Sequence, residues 1–337
     1  MSTSFLHSAI VSHGDIVTEP TEIYGSGPLL LRIGNGGAGA TGLIHALSND
    51  YLSTLATARS IAWLCNHSRN TQLALLHGHI DLGLTYERDQ EALAAAEGWS
   101  VTAGCVMHDH FCLAGPAGDP AGVAHVIAHV ASTATSASTL TSMQAALSRI
   151  AERKAPFHSR VDQSATMWKE RSLWPPGIHP WEHQASASTS SWYRTSLLSP
   201  AEALRQAHAQ GAYLLTDRST LLRQVALGQL SASSPDSDGE KQEKKQEMTV
   251  FLEPEGENDV LMNSCYAVHS PHPSPEVVAF TEYLRSGRAQ RLIAGYGEDA
   301  AGLPLFARVA DGFAKTRLRG GGIVGGKWSC EYGAGVV

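Results

Sequence analysis

The stretch from Lys154 to Lys169 concentrates residue types that can hold an anion. It reads K-A-P-F-H-S-R-V-D-Q-S-A-T-M-W-K, an apolar approach followed by a polar turn and the start of a helix. A helix N-terminus leaves about four backbone N–H groups without partners, and its dipole favours negative charge. Arg160 adds a planar guanidinium that can donate two parallel hydrogen bonds and stays protonated. The pattern predicts an anion site formed by Ser159, Arg160, Ser164 and Thr166.

Asp162 allows two interpretations. It can orient Arg160 toward a bound anion and line a binding cleft. Alternatively, Arg160 and Asp162 form an ordinary surface ion pair beside a helix cap, which contributes little to stability.

A glycine-rich loop suggests a second group of anion ligands. The apolar run Leu29 to Ile33 predicts a buried parallel strand, and N-G-G-A-G-A-T-G follows it at 35 to 42. Such a loop can present backbone N–H groups to an anion, here from Asn35, Gly36 and Gly37, with Thr41 as a hydroxyl donor. The spacing matches neither common nucleotide-binding motif. Alternatively, the glycines only permit a tight turn.

The motif A-P-F-H-S-R-V-D-Q-S-A-T at 155 to 166 resembles the A-P-F-x-S-R-G-D-D-S-G-T signature of TupA-type tungstate-binding proteins. Further blocks resemble that family in the same order, at 78 to 84, 97 to 99, 106 to 122, 211 to 220 and 302 to 306. The resemblance implies an α/β, two-lobed, periplasmic-binding-protein-like (type II) fold. Each lobe would be a mostly parallel sheet flanked by helices, with the ligand cleft between the lobes.

The same resemblance implies a non-catalytic solute-binding protein for a small oxyanion such as tungstate or molybdate, with an ABC permease as partner if the chain is exported. In that family the first loop is rich in Thr and Ser. Here Gly34 to Gly37 stand in the corresponding places, and Thr41 is the retained hydroxyl. Tyr86, His110 and Tyr193, together with Asp162, are predicted to line the cleft.

The length of 337 residues favours two lobes over one core. Residues 231–247 have almost no apolar content and are predicted to be a disordered surface insertion. The expected organisation is a loosely held N-terminal extension at 1–27, a first lobe from 28–115 and 220–308, a second lobe at 116–219, and a C-terminal tail at 309–337.

Composition excludes several functions. The net charge of −7 argues against nucleic acid as a partner. The sequence contains no run of eighteen apolar residues, so no membrane span is predicted. The five cysteines lack metal-site spacing. No cofactor is predicted. The first thirty residues lack a basic start and an apolar core, so the sequence predicts a soluble, cytoplasmic protein, whereas members of the resembled family are typically periplasmic or extracellular.

Three alternatives stay open at this point. One is an enzyme on the same scaffold using His108, His110 or Cys112, although the sequence contains neither G-x-S-x-G nor H-E-x-x-H. Another is a metal site that combines His77 and His79 with His108, Asp109 and His110. Strand alternation, however, puts Asp109 on the face opposite to the two histidines. The third is an intracellular sensor or accessory protein, including one that no longer binds an oxyanion.

Overall fold

The structure of the chain is a computed structural model. It describes residues 8–12, 14–133, 138–162, 164–185, 192–230, 248–317 and 329–332. The predicted insertion at 231–247 lies outside the described residues.

Strands and helices alternate through most of the chain. The strands are β1 (Glu22–Gly25), β2 (Leu29–Asn35), β3 (Ser60–Cys65), β4 (Leu82–Thr85), β5 (Val101–Pro116), β6 (Phe157–Arg160), β7 (Tyr193–Ser196), β8 (Leu214–Asp217), β9 (Met248–Leu252), β10 (Met262–His269), β11 (Ala314–Arg317) and β12 (Ser329–Tyr332). The helices are α1 (Gly37–Ala40), α2 (Leu43–Leu52), α3 (Ser68–Leu76), α4 (Arg88–Ala96), α5 (Val123–Thr133), α6 (Thr139–Arg153), α7 (Ala165–Leu173), α8 (Pro200–Ala209), α9 (Arg218–Ala226), α10 (Pro275–Arg285), α11 (Gly287–Gly295) and α12 (Glu298–Ala301). Short 3-10 turns lie at Pro180–Ala185 and Val309–Asp311.

The chain divides into two units, each discontinuous in sequence. The first unit contains Met1–His108, Asn263–Tyr296 and Phe306–Ala310, and the second contains Asp109–Met262, Gly297–Leu305 and Asp311–Val337. The chain passes between them within β5, between His108 and Asp109, whereas the sequence placed the crossing near residue 115.

Residues 220 to 262 belong to the second unit, although the sequence placed them in the first lobe. The side chain of Asp217, at the end of β8, caps α9 by accepting from the Thr220 N–H. Strand β9 pairs antiparallel with the end of β5, from Leu113 with Leu252 to Pro116 with Met248. These local contacts hold the segment to its chain neighbours.

The first unit is built on a central parallel group of strands. Strand β2 pairs in parallel with β3 and with β4, while β1 is antiparallel to β3 and β10 is antiparallel to β4. The predicted apolar run at 29–33 is therefore a central strand. A strand buried on both faces reads as a continuous apolar run, which explains why the sequence signals it clearly.

Within the N-terminal segment, the described residues 8–12 and 14–27 make specific contacts, whereas the sequence predicted a loosely held extension. Strand β1 extends the sheet, and the N–H of Ala9 donates to Glu97 Oε1 at 2.7 Å. Ile10 is buried in a cluster with Leu73, Ala94 and Trp99. Burial of this isolated apolar residue stabilises the segment, and the sequence shows no periodicity that reveals it.

The second unit packs around an apolar cluster that includes Phe157, Trp174 and Tyr193. Helix α6 buries one face, formed by Met143, Ala146, Leu147 and Ile150, against it. Strands β6 and β7 are parallel, whereas β8 and β9 are antiparallel to β5. This unit therefore mixes strand directions and is not mostly parallel.

The C-terminal tail contains regular structure that the sequence did not predict. Strand β11 pairs antiparallel with β12, and residues 318–328 and 333–337 lie outside the described residues. Among the described residues, no helix combines the length and hydrophobicity needed to cross a bilayer.

Candidate functional site

The predicted strand-to-helix junction is present at the end of β6. Strand β6 pairs with β7 from Phe157 with Tyr193 to Arg160 with Ser196. Because side chains alternate along a strand, Phe157 and Ser159 face one side, and His158 and Arg160 face the other. Phe157 is buried in the apolar cluster, which fixes the direction in which Arg160 points.

Arg160 is held by two residues of the following turn. Its Nη2 donates to Ser164 Oγ at 2.6 Å and lies 3.2 Å from Asp162 Oδ2. The Ser164 N–H donates to Asp162 Oδ1 at 3.1 Å. The Arg160 side chain is 8% exposed, so the Arg160–Asp162 pair is more buried than a surface ion pair, and Asp162 orients the guanidinium.

Several donors at this junction have no partner among the described residues. Ser164 is the N-cap residue of α7 but its hydroxyl does not cap the helix. The N–H groups of Ala165 and Thr166, in the first turn, therefore lack a hydrogen-bond acceptor from the described chain. The Nε of Arg160 is buried and also has no partner. A buried donor such as Arg160 Nε is normally paired, so its position beside two free helix amides points to an acceptor.

His158 belongs to the same site, although it was not among the residues predicted from the sequence. It is 3% exposed, its Nε2 lies 2.9 Å from Ser196 Oγ, and its Nδ1 has no partner among the described residues. Burial lowers the pKa of His158, and the charges of Arg194 and Arg160 lower it further. The ring is therefore neutral at neutral pH. Strand alternation from Arg160 is the signal that could have identified it.

These side chains surround a small cavity of about 10 Å³ lined by His158, Arg160, Thr166, Met167, Pro200, Ala203, Leu214, Leu215, Thr216 and Asp217. That volume fits one water-sized group. Asp217 is an acidic wall residue, but its Oδ1 accepts from the Thr220 N–H and the Ser219 hydroxyl, both at 3.1 Å. The cavity can thus admit one oxygen of an oxyanion, with the rest of the ion at its mouth.

Ser159 and Tyr193, two predicted site residues, lie on the opposite face of β6. Ser159 is 1% exposed and its Oγ lies 3.8 Å from Met167 Sδ. Tyr193 stacks on Phe157, and its hydroxyl donates to Glu170 Oε1 at 2.9 Å. Burial raises the pKa of Glu170 to about 7. The structure therefore places both hydroxyls in the core of the second unit, away from Arg160.

Two residues of the enzyme alternative, His110 and Cys112, are buried, whereas His108 is half-buried, with its Nδ1 2.7 Å from Ser264 Oγ. His110 is 1% exposed, with its Nε2 3.6 Å from Glu253 Oε2, and burial lowers its pKa. Burial raises the pKa of the Cys112 thiol well above its usual value, so the reactive thiolate is disfavoured. Across the described ranges, no three His, Cys, Asp or Glu side chains are arranged to hold a metal ion.

In the first unit, the polar side chains of the glycine-rich loop form hydrogen bonds with backbone groups and so stabilise the conformation of the loop. Asn35 Nδ2 donates to the Leu84 carbonyl at 2.8 Å, and its Oδ1 accepts from the Gly39 N–H at 2.8 Å. Thr41 Oγ1 donates to the Ala38 carbonyl at 2.9 Å. Both side chains are buried and occupied.

The other predicted residues of the first unit are more accessible. Gly36 and Gly37 lie where α1, a helix of only four residues, begins, and Gly37 is exposed. Tyr86 is half-buried, and its N–H donates to Ser68 Oγ at 3.1 Å. Among the predicted residues of this loop, Gly36 and Gly37 are therefore the accessible ones, and they offer backbone groups alone.

The known proteins to which this chain is similar in sequence are named as binding proteins. No protein-family model matches the chain. The chain is 31% identical over 147 residues to a protein assigned as the anion-binding protein of an ABC transporter in Haloferax volcanii, a match of 43% of this chain but only 36% of that relative's length. It is 27% identical over 238 residues to the tungstate-binding protein TupA of Peptoclostridium acidaminophilum, which covers 68% of each protein. These relatives are named for binding, not for catalysis.

Solved structures show the same fold. A periplasmic protein described as metal-binding superimposes with a TM-score of 0.64 and 26% identity, covering 85% of this chain and 98% of the other. TupA from Desulfovibrio alaskensis G20 gives a TM-score of 0.57 at 20% identity, covering 84% and 99%. The predicted α/β fold is confirmed. The chain therefore has a TupA-like domain with the type II periplasmic-binding-protein fold.

Proposed function

We propose that this chain is a non-catalytic binding protein for a small oxyanion of the tungstate and molybdate class. The observation that carries the proposal is that the Ser164 hydroxyl accepts a hydrogen bond from Arg160 and does not cap α7. It fixes the guanidinium and leaves the first amides of the helix for another acceptor. Relatives named for anion and tungstate binding support the ligand class.

One anion oxygen would enter the cavity beside Arg160. It would accept from Arg160 Nε and from the amides of Ala165 and Thr166, because these donors have no partner among the described residues. The positive end of the α7 dipole would add to the attraction. No bond of the ligand needs to break, and none of these groups is a nucleophile.

The neutral ring of His158 would contribute selectivity. A neutral imidazole has one N–H donor and one acceptor nitrogen. Its Nδ1 can donate to a fully deprotonated oxyanion or accept from a protonated one, according to the tautomer. His158→Phe would therefore change the ratio of affinities for tungstate and phosphate, because phosphate carries a proton at neutral pH. Equal losses for both anions would remove this role.

The Gly36 and Gly37 amides remain a separate proposal, as anion donors within the first unit, and Asn35 and Thr41 would hold the conformation of that loop. An ABC permease is proposed as the partner, since the relatives are named as components of such transporters or for tungstate binding. That role requires export. Localising the tagged full-length protein tests it, because retention inside the cell would favour a sensor or accessory role instead.

Calorimetry tests the binding proposal directly. The folded protein should release or absorb heat with tungstate and molybdate, and bind sulfate, phosphate and acetate more weakly. A folded sample that gives no heat with any of the five anions would contradict the proposal.

A further inference from the structure

A second and much larger cavity lies in the first unit, where α10 ends and α11 begins. Its volume is about 690 Å³, and its lining includes Cys105, Arg285, Arg291, Arg308 and Val309. Binding sites for small organic molecules typically have volumes of about 300–1,000 Å³. The cavity is therefore large enough for an organic ligand and much larger than the space beside Arg160.

Three guanidinium groups line this cavity in a chain whose net charge is −7. Arg285 and Arg291 form no ion pair with any carboxylate of the described residues. Arg288 lies on the same helix as Arg291 but outside the cavity lining, and its Nε donates to Asp50 Oδ2 at 2.7 Å. Arg288, outside the cavity, is thus neutralised by a carboxylate, whereas Arg285 and Arg291, which line the cavity, have no carboxylate partner among the described residues.

The wall that carries these arginines is fixed by Gln290. Its Nε2 donates to the Val106 and Leu284 carbonyls, both at 2.8 Å, and its Oε1 accepts from the Val309 N–H at 3.0 Å. One side chain thus joins β5, the end of α10 and the segment after Phe306. Arg285 is braced as well, because its Nη1 donates to the Ala103 carbonyl at 3.3 Å.

We propose that this cavity binds an organic anion with two or more carboxylate or phosphate groups. Guanidinium groups bind both kinds of oxyanion through paired hydrogen bonds. Arg285, Arg291 and Arg308 would hold the charged groups, and Cys105 and Val309 would contact the carbon skeleton. The ligand class therefore differs from that of the Arg160 site, since a four-oxygen ion would fill only a small part of the volume.

Calorimetry with citrate and with fructose 1,6-bisphosphate tests the proposal. Comparing the two affinities shows whether the cavity binds carboxylate or phosphate groups more tightly. The titrations use the wild-type chain and the Arg160→Ala variant, and both chains should bind at least one of the two probes. Arg285→Ala and Arg291→Ala should each weaken that binding by about tenfold or more, because each removes charge-assisted hydrogen bonds. Arg288→Ala is the matched control and should leave the affinity unchanged.

Alkylation of Cys105 gives an independent readout. A saturating amount of the bound probe should slow the reaction of iodoacetamide with Cys105, as followed by peptide mass spectrometry. Cys65, which is also half-buried but absent from the lining, should react at the same rate with and without the probe.

Three results would overturn the proposal. One is the absence of heat with both probes in a folded sample. Another is an affinity that Arg285→Ala and Arg291→Ala leave unchanged. The third is binding of a glutamate-rich peptide without binding of either small anion, which would assign the arginines to a protein partner.

Discussion

The Ser164 hydroxyl accepts a hydrogen bond from Arg160 at 2.6 Å and does not cap helix α7. Elsewhere in the same unit, the Ser199 hydroxyl caps α8 by accepting from the Glu202 N–H. The Glu202 carboxylate accepts in turn from the Ser199 N–H, which completes a capping box. Two serines in equivalent positions at a helix start thus have different roles. One stabilises its helix, and the other positions a guanidinium.

This contrast gives a first prediction. Ser164→Ala should lower the affinity for tungstate by about tenfold, because Arg160 loses the strong hydrogen bond that orients it. Ser199→Ala should leave the affinity unchanged and lower the free energy of unfolding by about 1 kcal/mol, the usual effect of losing a cap. Calorimetry and urea denaturation measure the two quantities. If both variants lose the same affinity, Ser164 has no positioning role.

The glycine loop gives a second prediction through a matched pair of variants. A Cβ at Gly39 would lie 2.2 Å from Trp63 Cε2, and the Trp63 ring is buried and donates from Nε1 to the Asn35 carbonyl. Gly39→Ala should therefore lower the free energy of unfolding by about 1–3 kcal/mol. A Cβ at Gly37 meets nothing within 4 Å, so Gly37→Ala should be neutral or stabilise by up to about 1 kcal/mol.

Thermal or urea unfolding of both variants tests this pair. A Gly39→Ala protein as stable as the wild type would show that Trp63 can move, and would remove the argument that the loop conformation depends on this close approach.

Glu170 gives a third prediction, on pH. Burial raises its pKa from 4.5 to about 7 in the folded chain. A raised pKa means that the folded state keeps its proton while the unfolded state releases it. The contribution of Glu170 to stability is therefore full below pH 4.5 and is lost as the pH rises toward 7. The loss is on the order of 3 kcal/mol, from about 1.4 kcal/mol per pKa unit.

Glu170→Gln removes this titration and keeps an acceptor for the Tyr193 hydroxyl. The free energy of unfolding, measured in urea at pH 5 and pH 7.5, should fall less in the variant than in the wild type. An equal fall in both proteins would show that the Glu170 carboxyl does not titrate in this range. Asp109, whose pKa burial also raises to about 7, would then be the first residue to test for the remaining pH dependence.

Local patterns in the sequence predicted the buried strands and the position of the β6–α7 junction, whereas the two-lobed type II fold was implied by the resemblance to TupA-type proteins. Buried strands appear as apolar runs, and the polar turn at Ser159 to Ser164 interrupts one of them. The direction of individual side chains was harder to predict. Ser159 was grouped with Arg160 by chemistry, although alternation along β6 puts the two on opposite faces, and the same alternation brings His158 beside Arg160.

Other placements depend on contacts between distant parts of the chain. Tyr193 was expected to line the cleft, but it pairs with Phe157 across β6 and β7 and is buried against that ring in the core. Asn35 was expected to meet a ligand, but its side chain bonds the backbone of β4 and α1. No local pattern contains this information, because each outcome is set by which strand lies next in the sheet.

Calorimetric titration of tungstate into the wild type, Arg160→Ala and Arg171→Ala tests the central claim most directly. Arg171 is an exposed arginine at the other end of α7, so its replacement matches the change in charge on the same helix. We expect wild-type affinity in Arg171→Ala and no measurable binding in a folded Arg160→Ala protein. Tungstate binding of unchanged affinity in Arg160→Ala would contradict the assignment of the oxyanion site to this junction.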